Sequence, residues 1–341
     1  MSDKPKVWYL PVASHTERVF RPEVFETMLA EFDVTVNELE RNLTTEEVAE
    51  GIEPYDAVVT GWGTPPFNAE ALEKGQRLRL VAHSAGSVKH LFPGDLVEKY
   101  LVPRGIIVYS ANGAIALNVA ETAVGLLIMA SRRWPDFIFN YRQTGRWRPE
   151  GVPYNGQFLR GCKLGIVSAS KVGREVIRLL QGWDVEFLVY DPYLPEEAAA
   201  EMGVRKVGLN ELFEQADHVT IHAPSIPETE KMIGAEQLKL LRDGAALVNT
   251  ARGSVIDHDA LYEEAKTGRI LVCLDVTTPE PLPPDSPLRS LPNVYITPHV
   301  AGAGYYGYFK IGEGTLQALR DCFADRPVEG AVDLSRWQQL A

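Results

Sequence analysis

Residues 164–191, LGIVSASKVGREVIRLLQGWDVEFLVYD, decide how the rest of the chain is read. Leu164 to Val167 is a short apolar run ending in Ser168-Ala169-Ser170. Val172, Val176, Ile177, Leu179 and Leu180 then recur at helical spacing, and Val185 to Tyr190 is a second strand-like run closed by Asp191. Strand, tight turn, helix and strand at this spacing is the plan of a dinucleotide-binding unit. The glycine fingerprint of such a turn is incomplete: Ser168, Ser170 and Gly173 stand where G-x-G-x-x-G is wanted. Serine is the smallest substitute with a hydroxyl, expected to donate to a phosphate oxygen, and Gly173 remains where helix and strand pack closely. The helix from Lys171 through Val172 aims free N–H groups at the turn, and Lys171 and Arg174 add positive charge. Asp191 is placed to accept from a ribose 2'-hydroxyl and to repel a 2'-phosphate, so NAD is expected rather than NADP.

The surrounding composition is that of an ordinary globular protein of 341 residues, 45% hydrophobic and 23% charged. The length accommodates two domains with cores of their own. A formal charge of -12 argues against nucleic acid as a partner, because no basic stripe is available to neutralise phosphates. Cys162, Cys273 and Cys322 are odd in number and form no C-x-x-C pair, which reads as three reduced thiols; no metal site is expected. MSDKPK leads into a strand without an apolar signal region, and no run approaches 18 apolar residues. A cytoplasmic protein without a membrane span is expected.

Along the chain, strand-like runs at Val7–Val12, 34–36, Tyr55–Thr60, Leu78–His83 and Ile106–Tyr109 alternate with helical patterns at Pro22–Phe32, from Thr45, and at Ala69–Lys74, capped by Asn68. This first α/β domain is expected to end at Ala111. Asn118 to Tyr141 reads as one long helix, and Tyr154 to Gly161 as a loop whose Tyr154 and Phe158 face a partner subunit. From Leu164 the repeat resumes through runs at 185–190, 204–207, 219–222, 246–250, 270–276 and 294–296, which makes 112–302 a doubly wound nucleotide domain. Residues 303–341 hold a helix weakened by Gly304, Gly307, Gly312 and Gly314. They are too few to stand alone and are expected to return to the first domain, a substrate-binding domain of 1–111 plus 303–341.

Arg252, Glu280 and His299 all follow strand runs, on what is expected to be the carboxyl edge of one sheet. A buried carboxylate from Glu280 would fix the His299 tautomer, raise its pKa and make it a proton donor and acceptor. Arg252 suits bidentate grip of a carboxylate beside a carbonyl.

Three blocks, VNTARG (248–253), LDVTTPEPLP (274–283) and NVYITPHVAG (293–302), resemble those of the D-isomer-specific 2-hydroxyacid dehydrogenases. The resemblance implies a Rossmann-like parallel sheet inserted into a smaller flavodoxin-like α/β domain, an active site in a cleft, and a homodimer. It implies that Arg252, Glu280 and His299 are catalytic and that Asp275, Thr250 and Ala251 lie by the nicotinamide. Val172 and Pro224 complete the expected cofactor contacts. Ser84-Ala85-Gly86-Ser87 aligns with the family's substrate loop, whose backbone amides receive the carboxylate of a 2-oxo or 2-hydroxy acid. Lys89 and His90 replace a common Asp-Asn pair, and Ser110 and Asn112 occupy a usual Asn-x-Pro. Trp62 and His83 are candidates for the pocket border, and Tyr305 and Tyr306 for a wall of the cleft. Two alternatives stay open: the same fold acting on a different small anion, and a nucleotide-sensing protein with little turnover.

Overall fold

The computed structural model describes residues 4–148, 151 and 156–339. Tyr154 lies outside them. The chain divides into two compact units, Met1–Asn118 with Ala303–Ala341, and Val119–Gly302. The first boundary falls beyond Ala111, inside the unbroken helix Asn112–Ser131.

In the first unit, β1 (Lys6–Tyr9), β2 (Asp33–Val36), β3 (Ala57–Thr60), β4 (Leu80–His83) and β5 (Ile107–Ser110) form a parallel sheet in the order β2-β1-β3-β4-β5. That is the flavodoxin-like order. Every residue of β3 and β4 is buried, which is why these strands read as unbroken apolar runs instead of alternating ones. One core joins Val58, Val81 and Val108 to Val48, Leu72 and Leu101; the other joins Val7, Val59 and Leu80 to Met28, Ile311 and Leu319. The glycines of helix Tyr305–Phe323 are contact points and not weaknesses: a Cβ on Gly312 would lie 2.5 Å from the Val19 carbonyl oxygen. The expected strand to Val12 stops at Tyr9, and helix Ala13–Val19 begins soon after Pro11, a residue that cannot donate to a ladder.

In the second unit, β6 (Lys163–Val167), β7 (Glu186–Tyr190), β8 (Arg205–Lys206), β9 (His218–Ile221), β10 (Ala246–Asn249), β11 (Leu271–Leu274) and β12 (Val294–Ile296) pair in parallel as β12-β11-β10-β9-β6-β7-β8. The order reverses between β6 and β9, the switch point at which doubly wound sheets bind ligands. The expected helix from Asn118 to Tyr141 is two helices, Asn112–Ser131 and Trp134–Thr144. They part at Arg133 (φ 55°), ahead of Pro135, whose ring and missing N–H cannot continue the first helix. Helix Glu196–Glu201, which the apolar pattern of the sequence does not mark, follows Pro195, which cannot propagate a strand. Asn112–Ser131 is, among the described residues, the one helix long and apolar enough by length and composition to cross a membrane, which a count of strictly apolar runs overlooks. Its Ala120, Ala123, Leu127 and Ala130 are fully buried in the core beneath β6 and β10. All three cysteines are free and buried.

Candidate active site

Because β6, β7, β9, β10, β11 and β12 run parallel, the residues that follow them gather at one edge of one sheet. Those residues are the Ser168–Ser170 turn, Asp191, Pro224, Thr250–Arg252, Asp275–Glu280 and His299.

At the β6 turn the fit for a dinucleotide rests on backbone space. Ser168 takes φ 79°, the left-handed conformation a glycine adopts freely, and a Cβ on Gly173 would lie 2.2 Å from the Ser168 carbonyl oxygen. The turn is held by Asp191, whose Oδ2 accepts from the Ala169 N–H at 2.9 Å and the Ser168 hydroxyl at 3.3 Å, while Oδ1 accepts from the Tyr193 N–H. Ser170 is the N-cap of helix Lys171–Leu180, its Oγ accepting from the Gly173 N–H at 3.4 Å. Arg174 donates to the Ala169 carbonyl. In this geometry the Ser168 hydroxyl proton is directed to Asp191, whereas Ser170 uses only its oxygen as the cap and keeps its hydroxyl proton to donate. The start of the helix at Lys171 is exposed, which leaves its N–H groups open to an anion.

The loop that carries His299 is built on Asp275. Its carboxylate is 2% exposed and accepts from the Thr297 hydroxyl (2.6 Å) and the Val300 N–H (2.9 Å) on Oδ1, and from the Ala301 N–H (2.8 Å) on Oδ2. Its carbonyl accepts from the His299 N–H at 2.9 Å. This clamp holds His299 at φ 54°, so the imidazole projects from a tight left-handed turn. Nicotinamide contact is what the resemblance implies for Asp275; the structure commits its oxygens to the loop that carries the histidine.

His299 Nδ1 lies 2.5 Å from Glu280 Oε1. The contact fixes the ring and leaves Nε2 outward as the atom that can exchange a proton. The side chains are 51% and 42% exposed, so the expected burial of the carboxylate is corrected: the pair is part-exposed and lines a cavity of about 580 Å³ together with Asp275, Leu282, Arg289, Ile296 and Pro298. Arg252 is shaped by the Asn249 side chain, which donates to the Arg252 carbonyl and accepts from the Ala251 N–H. Burial lowers the pKa of its guanidinium and the Glu280 charge opposes that shift, so the two charges sense each other. Gly253 lets this segment touch the Thr277 backbone, where a Cβ would lie 2.1 Å from the carbonyl carbon. Thr250 is buried with its hydroxyl unpartnered among the described residues.

The Ser84–Ser87 loop follows β4 in the first unit. Ser84 and Ala85 are fully buried, and the Ser84 hydroxyl donates to the Thr60 carbonyl at 2.7 Å. The Ser110 hydroxyl donates to the Gly86 carbonyl at 2.7 Å, which turns the Ser87 N–H of the same planar peptide the opposite way. Of the pocket-border candidates, His83 is 1% exposed and bonded through Nδ1 to Thr60, whereas Trp62 is 37% exposed. Tyr305 and Tyr306 are both exposed. Ser110 was seen in the sequence only as a departure; its role needs the register of β5 against β4.

Fold and side chains together present a switch-point turn with an acidic strand end, of the kind that holds a dinucleotide, and an Arg, Glu and His set on the same sheet edge. Residues 124–301 match the model of the D-isomer specific 2-hydroxyacid dehydrogenase NAD binding domain. The chain is 37% identical over 275 residues to a glyoxylate reductase of Korarchaeum cryptofilum, covering 80% of this chain and 81% of that one. It therefore belongs to the D-isomer-specific 2-hydroxyacid dehydrogenase family. It is 36% identical over 264 residues to a D-3-phosphoglycerate dehydrogenase of Methanocaldococcus jannaschii, covering 77% of this chain and 48% of that one. The chain thus spans about half the length of the D-3-phosphoglycerate dehydrogenases it matches. A solved phosphoglycerate oxidoreductase of Rhizobium etli shares the fold, with a TM-score of 0.80 at 24% identity over 96% of this chain and 98% of that one.

Proposed function

We propose that the protein reduces a 2-oxo acid to a D-2-hydroxy acid, reversibly, with His299 as the general acid. The observation that carries this is the His299–Glu280 contact at 2.5 Å on a backbone turn clamped by Asp275. The bound cofactor, NAD(H), supplies or accepts the hydride. Ser168–Gly173 and Asp191 would hold it, with Pro224, Thr250 and Ala251 at the neighbouring strand ends.

The chain's own residues handle the proton and the charge. Nδ1 of His299 is engaged by Glu280, so a protonated ring donates from Nε2 to the oxygen of the carbonyl as that carbon is reduced. The bond formed is O–H, and the imidazole is left neutral; oxidation of the alcohol returns the proton to Nε2. Glu280 holds the ring in place through Nδ1 and keeps Nε2 as the exchanging atom. Arg252, held by Asn249, offers a planar pair of N–H groups to the substrate carboxylate. The Ser84–Ser87 loop contributes backbone N–H groups to a carboxylate. We also propose a homodimer, supported by Trp134, Ile138, Phe139, Tyr141, Trp147 and Phe158, apolar side chains left exposed on and after helix Trp134–Thr144.

The test is a panel of 2-oxo acids with NADH, from glyoxylate through hydroxypyruvate to pyruvate, on the wild type and His299→Ala. The variant is expected to bind NADH unchanged and to lose about 100-fold or more in turnover, the scale of general acid catalysis. Turnover retained by His299→Ala would refute the assignment.

A further inference from the structure

His15 has no part in the chemistry described so far. It lies in helix Ala13–Val19, which follows β1, and is 5% exposed. Its Nε2 is 2.9 Å from Ser84 Oγ. The single hydroxyl proton of Ser84 goes to the Thr60 carbonyl, so the imidazole is the donor and carries its proton on Nε2. Nδ1 is then a bare acceptor, buried without a partner among the described residues. The ring fills the space over Gly61, where a Cβ would lie 2.6 Å from Cε1, and Trp62 packs against it edge-on at 5.1 Å. One imidazole thus joins the segments that leave β1, β3 and β4, three neighbouring strands.

A ring with an orphan nitrogen is a poor space-filler, since leucine would bury no unpaired acceptor. What histidine supplies and leucine cannot is the Nε2–H on Ser84. We infer that His15 is a positioning residue, which fixes the Ser84–Ser87 loop in the conformation that receives the substrate carboxylate. The Ser110 hydroxyl holds the other side of the same loop through Gly86. The inference rests on the proposed reduction of a 2-oxo acid, and its test is arranged so that the two can fail separately.

The experiment compares wild type, His15→Ala, His15→Gln and Ser84→Ala. It measures KM for glyoxylate, kcat, NADH affinity, and the affinity of the NADH-loaded enzyme for oxalate, an unreactive carboxylate. His15→Ala is expected to raise KM and the oxalate Kd about tenfold, the worth of one buried hydrogen bond, with kcat and NADH affinity within about threefold of wild type. Glutamine, whose amide N–H can reach the same oxygen, is expected to recover most of the loss. Ser84→Ala is expected to reproduce it, and the double variant to be no worse than either single one. A folded His15→Ala with unchanged oxalate affinity overturns the inference, as does a glutamine variant as impaired as the alanine. If His15→Ala does not fold, normal oxalate binding by Ser84→Ala overturns it. A wild type that binds oxalate but reduces none of the 2-oxo acids refutes the proposed reaction, and the oxalate arm still decides the role of His15. A wild type that binds no oxalate overturns the inference, and one that also reduces none of the 2-oxo acids removes both.

Discussion

Replacing Asp275 by asparagine changes one oxygen to an NH2 at a site with no room for error. The carboxylate is 2% exposed and accepts three hydrogen bonds at 2.6–2.9 Å. In the better amide orientation the remaining oxygen keeps Thr297 and Val300, and the NH2 confronts the Ala301 N–H, donor against donor. One bond to a charged acceptor is lost and a buried N–H is left unmade. Each effect is worth roughly 1–3 kcal/mol, so a total of about 3 kcal/mol is expected. For a domain of this size that corresponds to a fall in Tm of about 6–12 °C, read by calorimetry. Turnover is expected to fall with it, since the same carboxylate holds His299 at φ 54°. A Tm within about 2 °C of wild type would refute the clamp. If NADH affinity alone were lost, Asp275 would act on the cofactor and not on the loop.

Gly253→Ala is expected to destabilise by at least about 2 kcal/mol in denaturant titration, because its Cβ would lie 2.1 Å from the Thr277 backbone and neither chain is free to yield. Gly173→Ala is expected to weaken NADH binding about tenfold or more by fluorescence titration, as the helix start is pushed from the Ser168 carbonyl 2.2 Å away. Burial pushes His83 and His222 down to about 3 and His15 and His218 to about 4. Their unfolded value is about 6.5, so below pH 6.5 the unfolded chain binds protons that the folded one refuses. Stability present above pH 6.5 is therefore lost as pH falls, by about 2 kcal/mol per histidine at pH 5, and Tm measured from pH 7 to 5 is expected to drop. Phe139→Asp is expected to convert a dimer to a monomer in analytical ultracentrifugation; an unchanged mass would refute the proposed face.

Much of the fold is legible because parallel strands buried on both faces appear as separate short apolar runs, as β3, β4 and β11 do. Helix Ala13–Val19 escaped because ASHTERV offers only His15 and Val19 to the core and shows no periodic stripe. The false continuity of Asn118 to Tyr141 arises because the apolar pattern resumes after Arg132-Arg133, where Arg133 takes φ 55° and ends the first helix. At the site, residue types and order mark Arg252, Glu280 and His299 as candidates. Spacing along a chain cannot show that Asp275 spends its oxygens on the loop at 297–301, or that Ser168 bonds to Asp191. Those depend on which strand ends become neighbours, as does the role of Ser110. His15 lies 69 residues from Ser84, and no local pattern connects them.

The fit of the His15 ring over Gly61 and onto Ser84 has a consequence for redesign. The three loops at β1, β3 and β4 are not interchangeable parts. Grafting an 84–87 segment that lacks the Ser84 hydroxyl would leave an imidazole with nothing to hold, and any side chain introduced at 61 would evict it. A change of substrate preference in this protein has to move all three loops as one block.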